Sequence, residues 1–114
     1  MKEQIRYEVP PSVRAIVVAE CWDYHRRKQE MEFVPKNSLF YRTAVSRNEI
    51  ILSAAKEVWG DNIDFCETAI SDIGNRRGWI NSTLGTVIGE AAFNRRKYKI
   101  IRLVAIRMNL MYTT

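Results

Sequence analysis

Four stretches of the chain place apolar residues at the three-to-four-residue spacing of an amphipathic helix. This pattern predicts helices over about 13–31, from Asn37 or Ser38 to Trp59, from Asp61 or Asn62 to about residue 74, and over about 90–111. Residues 79–88 include five apolar residues, and Gly85 and Gly89 break their pattern, so we expect a short helix and a turn there, with a short β-hairpin as the alternative. Because the connections are short and strand patterns are nearly absent, the sequence predicts an all-α fold of four to five helices.

The length of 114 residues predicts a single domain with three parts: an extended arm over 1–10, a helical body over 13–75 and a basic part over 76–114. No apolar run approaches the roughly 20 residues that span a membrane. The first residues also lack the apolar core of a signal peptide. We therefore expect a soluble, cytoplasmic protein that does not contact a membrane.

The net charge of +5 is unevenly distributed along the chain. Residues 1–75 carry ten Lys or Arg and twelve Asp or Glu, whereas residues 76–114 carry eight basic residues and one acid, Glu90. The last third of the chain therefore has a net charge of +7 and the remainder −2. Clustered positive charge favours a polyanionic partner, usually nucleic acid, although a solvated basic helix face would show the same composition.

The predicted last helix has an apolar side and a basic side. The α-helical step is about 100° per residue. At that step the apolar side carries Phe93, Ile100, Val104, Met108 and Met111, and the opposite, basic side carries Arg95, Lys99 and Arg102. Lys97 falls among the apolar residues, where its stem can pack while its ammonium reaches the edge. The helix contains no acid after Glu90, which is typical of a helix that contacts nucleic acid rather than one that is merely soluble.

The order of elements in the basic part is that of a helix-turn-helix: a short apolar segment over 79–84, a glycine-containing turn over 85–89, then a longer basic helix. In that motif the second helix enters the major groove of double-stranded DNA with its first residues toward the bases. The residues predicted to face bases are Glu90, Ala91, Asn94, Arg95 and Arg96. The residues predicted to meet phosphates are Arg76, Arg77, Lys97, Lys99 and Arg102.

Four stretches of the chain carry a family resemblance: the segment 87–101, the Arg76-Arg77-Gly78-Trp79 step, and the residues around 24–30 and 47–51. Together they resemble phage and prophage transcriptional regulators of the RinA/ArpU type, whose C-terminal part is similar to the helix-turn-helix of sigma-factor region 4. The chain departs from that pattern at Gly89, where a proline is usual, and at Ala91-Ala92. The resemblance implies binding to double-stranded DNA in transcription control or a neighbouring phage process.

No arrangement of catalytic or metal-binding residues stands out in the sequence. His25 is the only histidine and lies in a charged helix, while Cys21 and Cys66 lie in apolar stripes as small hydrophobic residues. The acids are not paired as in a glycosidase, and the five glycines form no phosphate-binding loop. We expect neither enzymatic activity nor a metal or cofactor.

The first predicted helix adds two expectations. Asp23 lies one turn before Arg27, a spacing that predicts an ion pair. Trp22 lies off the apolar stripe, which indicates exposure or burial in an interface, whereas Trp59 and Trp79 are expected in the core. A homodimer is therefore one expectation, and it would suit a palindromic DNA site.

The rival interpretation of the basic part is a non-catalytic protein-interaction module. Its basic helix would bind an acidic partner such as RNA polymerase or a phage packaging component, without touching DNA. Single-stranded RNA is less favoured as a partner, because few exposed aromatic residues are available to stack on bases.

Overall fold

The computed structural model describes residues 8–112, and within them the chain forms four α-helices and no strand. The helices are α1 (Pro11–Glu30), α2 (Leu39–Trp59), α3 (Ile63–Gly74) and α4 (Glu90–Arg107). Two short 3-10 helices, Trp79–Asn81 and Thr83–Thr86, lie between α3 and α4. The predicted all-α fold class is confirmed, while most of the predicted arm over 1–10 lies outside the described residues.

The helix starts follow from local sequence. The Ser38 hydroxyl accepts a hydrogen bond from the Tyr41 backbone N–H at 3.1 Å, and the Asn62 side chain accepts one from the Phe65 N–H at 3.1 Å. Both residues act as the N-caps expected at these positions. Helix α1 instead begins at Pro11, because the fixed φ of proline suits the first helical position, where no N–H is needed.

The end of α4 differs from the prediction, since the helix stops at Arg107 and not at Met111. Asn109 adopts a left-handed φ of 60°, and the Leu110 N–H donates to the Ala105 carbonyl at 2.9 Å. These features define a Schellman motif, which satisfies the last carbonyls of a helix and turns the chain away. Apolar periodicity continues past Arg107, so it could not reveal this stop.

Helix α3 ends in the same motif, but with an arginine in the left-handed position. Arg76 has a φ of 56°, its N–H donates to Ile73 at 3.1 Å, and the Arg77 N–H donates to Asp72 at 2.8 Å. Glycine or asparagine usually occupies this position, because a left-handed conformation costs other residues about 1–2 kcal/mol. The strained arginine lies at the edge of the candidate site described below.

One hydrophobic core joins the four helices of the described chain. Helix α3 packs against α1 and α2, and α4 packs against α2 and α1. The largest fully buried side chains of the core are Val17, Cys21, Ile51, Cys66, Ile70, Ile73, Ile100 and Val104. Helices α1 and α3 approach so closely at Gly74 that a Cβ there would lie 2.6 Å from the Trp22 backbone nitrogen.

The predicted ion pair between Asp23 and Arg27 is wrong, because Arg27 turns inward. Its side chain is 5% exposed, and its Nε donates to Asn48 Oδ1 at 2.8 Å while Nη1 donates to Glu20 Oε1 at 2.9 Å. Asp23 pairs instead with Arg26, at 3.2 Å. The buried guanidinium is therefore held between α1 and α2, since a buried charge requires such partners.

The tryptophans and cysteines lie where the apolar pattern placed them. Trp59 is buried and Trp79 packs partly buried against the core, whereas Trp22 is 61% exposed on α1. Cys21 and Cys66 are buried free thiols. Across the described residues, the helices are too short or too polar for any of them to cross a membrane.

Candidate nucleic-acid interface

Helix α4 presents a basic side to solvent because its other side is anchored in the core. Phe93, Ile100 and Val104 are buried, while Arg95 and Lys99 are exposed on the opposite side. Asn94 is also exposed next to Arg95. The position of these side chains follows directly from the helical period of the sequence.

Arg77 is turned back toward α3. Its Nη2 donates to the Ser71 hydroxyl at 3.0 Å, and its Nε lies 3.4 Å from Asp72 Oδ1. The buried Asp72 carboxylate also accepts a hydrogen bond from the Ser82 hydroxyl. Asp72 thus joins the end of α3 to the segment before α4, and Arg77 neutralises part of its charge.

Two further basic residues of α4 are engaged within the protein. The Lys97 ammonium donates to the Arg77 carbonyl at 3.0 Å, and the Arg96 guanidinium lies 4.5 Å from the centre of the Trp59 ring. Burial lowers the pKa of Lys97, and the nearby Arg14 charge lowers it further, whereas Asp72 acts in the opposite direction. Arg102 is half-buried. Lys97 therefore fixes α4 against the segment that follows α3, and Arg96 fixes it against α2.

The predicted site residues thus fall into two groups. Arg76, Asn94, Arg95 and Lys99 are exposed. Arg77, Arg96, Lys97 and Arg102 are half-buried. The exposed group is open to a macromolecular partner, whereas the half-buried group has less of its surface available for contact.

The segment before α4 is helical, and it contains no hairpin. Ser82 caps the second 3-10 helix by accepting the Leu84 N–H at 3.0 Å, and the Trp79 indole N–H donates to the Ile88 carbonyl at 2.9 Å. These 3-10 helices of three and four residues stand where a standard helix-turn-helix has a full α-helix. Fifteen residues separate the end of α3 from the start of α4.

Arg14 of α1 joins the basic surface, although sequence reasoning did not select it. Its guanidinium lies 5.6 Å from the centre of the Tyr98 ring of α4, and the Tyr98 hydroxyl accepts a hydrogen bond from the Val9 N–H at 2.9 Å. Arg14, Asn94 and Lys97 border a shallow depression of about 200 Å³ beside α4. No sequence pattern could have indicated this, because Arg14 reaches α4 only through the packing of two distant helices.

Both cysteines are buried, and burial raises the pKa of each thiol. Burial is the main cause that raises the pKa of the Cys21 thiol to about 12. The His25 ring packs edge-on against Tyr24, with ring centres 5.1 Å apart. In the part of the chain that the structure describes, no three His, Cys, Asp or Glu side chains are grouped to hold a metal ion.

No protein-family model matches the sequence, and no significant match is found among curated proteins or among solved structures.

Proposed function

We propose that the protein binds double-stranded DNA through the exposed basic side of α4 and acts in transcription control, as the resemblance to phage regulators implies. The observation that carries the proposal is the placement of Arg95 and Lys99, exposed on a core-anchored helix that has no acid after Glu90. A helix held in this way offers cationic side chains to phosphates without loss of its own packing.

The exposed and half-buried groups suggest different roles in DNA binding. Arg76, Arg95 and Lys99 are exposed and free to meet phosphates, and Asn94 is also exposed. Arg77, Arg96 and Lys97 act as positioning residues, because their polar groups contact Ser71, the Trp59 ring and a backbone carbonyl. With only short 3-10 helices before α4, we expect phosphate contacts to contribute more to affinity than base contacts.

The test is a salt titration of duplex DNA binding by the full chain, measured by fluorescence anisotropy. Wild-type affinity should fall steeply with salt, with a log–log slope of about −0.9 for each phosphate neutralised. The Arg95→Ala, Lys99→Ala double variant should bind more weakly on all sequences and reduce that slope by about 2.

A matched control removes the same charge elsewhere. Lys36 and Arg42 are exposed cations before and within the first turn of α2. Their double alanine variant should keep the wild-type slope. DNA binding that is insensitive to salt, or an equal loss of DNA affinity in both double variants, would exclude α4 as the DNA-binding surface.

The second candidate is the protein-interaction module, and exposed apolar residues near α4 favour it. Ile80 is 86% exposed and Val87 50% exposed in the segment that precedes the helix. Phosphate contacts do not require such side chains, whereas an acidic protein partner with an apolar patch would cover them. Capture of RNA polymerase by wild type but not by the Ile80→Ser variant, with no duplex binding, would support this candidate.

A further inference from the structure

A cavity of about 440 Å³ lies where residues 8–11, α1, the end of α3 and α4 meet. Its size is within the range of small-ligand sites. Val18 and Ile73 contribute an apolar wall, and Arg14, Arg76 and Lys97 contribute three cationic groups from three different elements. Among the described residues that line it, the one acid is Glu8, which is exposed.

Among the residues that the structure describes, the cations of this cavity form no ion pairs, since none of the three lies within ion-pair distance of a carboxylate. Burial is the main cause that lowers the pKa of Lys97; the Asp72 carboxylate opposes this, and the nearby Arg14 charge adds a smaller lowering effect. The Arg14 and Lys97 charges are therefore close enough to interact, and a bound anion would be attracted to both.

Two contacts orient these cations before any ligand arrives. The Arg14 guanidinium lies over the Tyr98 ring, 5.6 Å from its centre, and the Lys97 ammonium is held by the Arg77 carbonyl at 3.0 Å. An ammonium has three N–H donors, so Lys97 keeps two for another acceptor. Preorganised donors of this kind reduce the entropic cost of binding.

The third cation is placed by the strained residue at the end of α3. Arg76 has a φ of 56°, a conformation that glycine would adopt at lower cost. Its side chain is exposed and lines the cavity. Strained backbone conformations that persist are concentrated at functional sites, and here the strained residue lines the same cavity as Arg14 and Lys97.

We propose that this cavity is a phosphate-binding site, in which Arg14, Arg76 and Lys97 hold the phosphate group of an ester and Val18 and Ile73 contact its apolar part. A phosphate monoester carries nearly two negative charges at neutral pH and several acceptor oxygens, which suit three cationic donors better than a single carboxylate does. The phosphate belongs either to a small phosphate ester or to the backbone of duplex DNA. The site does not depend on the proposed DNA-binding function.

The first arm of the test titrates the full chain with inorganic phosphate and with a nucleoside 5′-monophosphate. Binding is followed by calorimetry and by thermal unfolding, with sodium chloride keeping the ionic strength constant. Saturable binding is expected for wild type and for Arg76→Lys. Arg76→Gly should bind about tenfold more weakly, because one charge-assisted contact is lost.

The same variant has an opposite effect on stability, which separates a binding role from a structural one. Arg76→Gly should raise the Tm of the free protein by about 2–4 °C, since glycine relieves the left-handed strain. Glu8→Gln should tighten phosphate binding by removing the acid from the cavity rim. Arg42→Ala, which alters an exposed cation of α2 that does not line the cavity, should leave phosphate affinity unchanged.

The second arm compares the affinity of wild type and Arg76→Gly for duplex DNA. If Arg76→Gly weakens duplex binding and inorganic phosphate competes with the duplex, the backbone is the source of the phosphate. If the monophosphate binds and the duplex affinity is unchanged or absent, the ligand is a small ester, even where the proposed DNA-binding function has failed. Equal binding of every probe by wild type and Arg76→Gly would overturn the proposal.

Discussion

Gly74 is the position where a single methyl group should disturb the fold most clearly. A Cβ added there would lie 2.6 Å from the Trp22 nitrogen, 2.7 Å from the Trp22 Cα and 2.9 Å from the Cys21 carbonyl carbon. Ordinary contacts between non-bonded carbon atoms are about 3.5–4.0 Å. Because all three neighbours are backbone atoms, no side chain can rotate aside, and α1 and α3 must separate by about 1 Å.

The magnitude follows from two opposing effects of Gly74→Ala. Overpacking of a close contact costs about 1–3 kcal/mol, and rigid backbone on the facing side puts this case near the upper end. Alanine recovers up to about 1 kcal/mol of helix propensity. The expected net loss is about 2 kcal/mol. With an unfolding entropy of about 2.1 cal/mol/K per residue, a chain of 114 residues loses about 4 °C in Tm for each kcal/mol, so Tm should fall by about 8 °C.

The assay is thermal unfolding followed by circular dichroism, with Gly78→Ala as the matched control. A Cβ at Gly78 meets nothing within 4 Å, and its φ of −88° is open to alanine. Gly78→Ala should therefore raise Tm by about 2–4 °C, because it restricts the unfolded chain. A Gly74→Ala protein as stable as wild type would show that α1 and α3 do not meet as closely as described.

Two further predictions concern polar groups inside the helical body. Asn48→Ala should lower the free energy of unfolding, measured in urea, by about 2–3 kcal/mol, because it leaves the buried Arg27 Nε without its acceptor. A decrease below about 0.5 kcal/mol would contradict this role. Burial raises the pKa of Glu67, but the hydrogen bonds and charge of its partners lower it more, so the folded pKa lies below the ordinary value of 4.5. These partners are Lys28 and Tyr24, which donate to Glu67 Oε2 at 2.6 and 3.2 Å. The Glu67 carboxylate therefore stabilises the fold above pH 4.5 and loses that effect as the pH falls through the lowered folded pKa. Glu67→Gln should lower Tm at pH 7 but progressively less at lower pH. A Tm difference between wild type and variant that stays unchanged down to pH 2 would contradict the contact.

The separation of the basic side chains into exposed and half-buried groups changes how the positive charge of the last third should be understood. Arg96 contributes to the +7 of that segment, yet its guanidinium lies over the Trp59 ring. Arg95 and Lys99 remain open to solvent. Charge counted along the chain thus overstates the charge available to a partner.

The sequence by itself determined the features that depend on neighbours along the chain. The apolar period located the four helices of the described residues. Residues able to cap a helix limited two of their starts to Asn37 or Ser38 and to Asp61 or Asn62, and the structure shows that Ser38 and Asn62 are the caps. The same period separated Arg95 and Lys99 from the buried side of α4. Each of these features arises within one helix or its cap, where a few adjacent residues decide the outcome.

Only the tertiary structure decided which charged side chains meet across helices. Arg27 turned inward because α2 presents Asn48, and Arg14 joined α4 because α1 packs beside Tyr98. The cavity lined by Arg14, Arg76 and Lys97 exists only where three elements converge. Long flexible cations can reach several directions from one backbone position, so the partner that packing brings within reach determines their role.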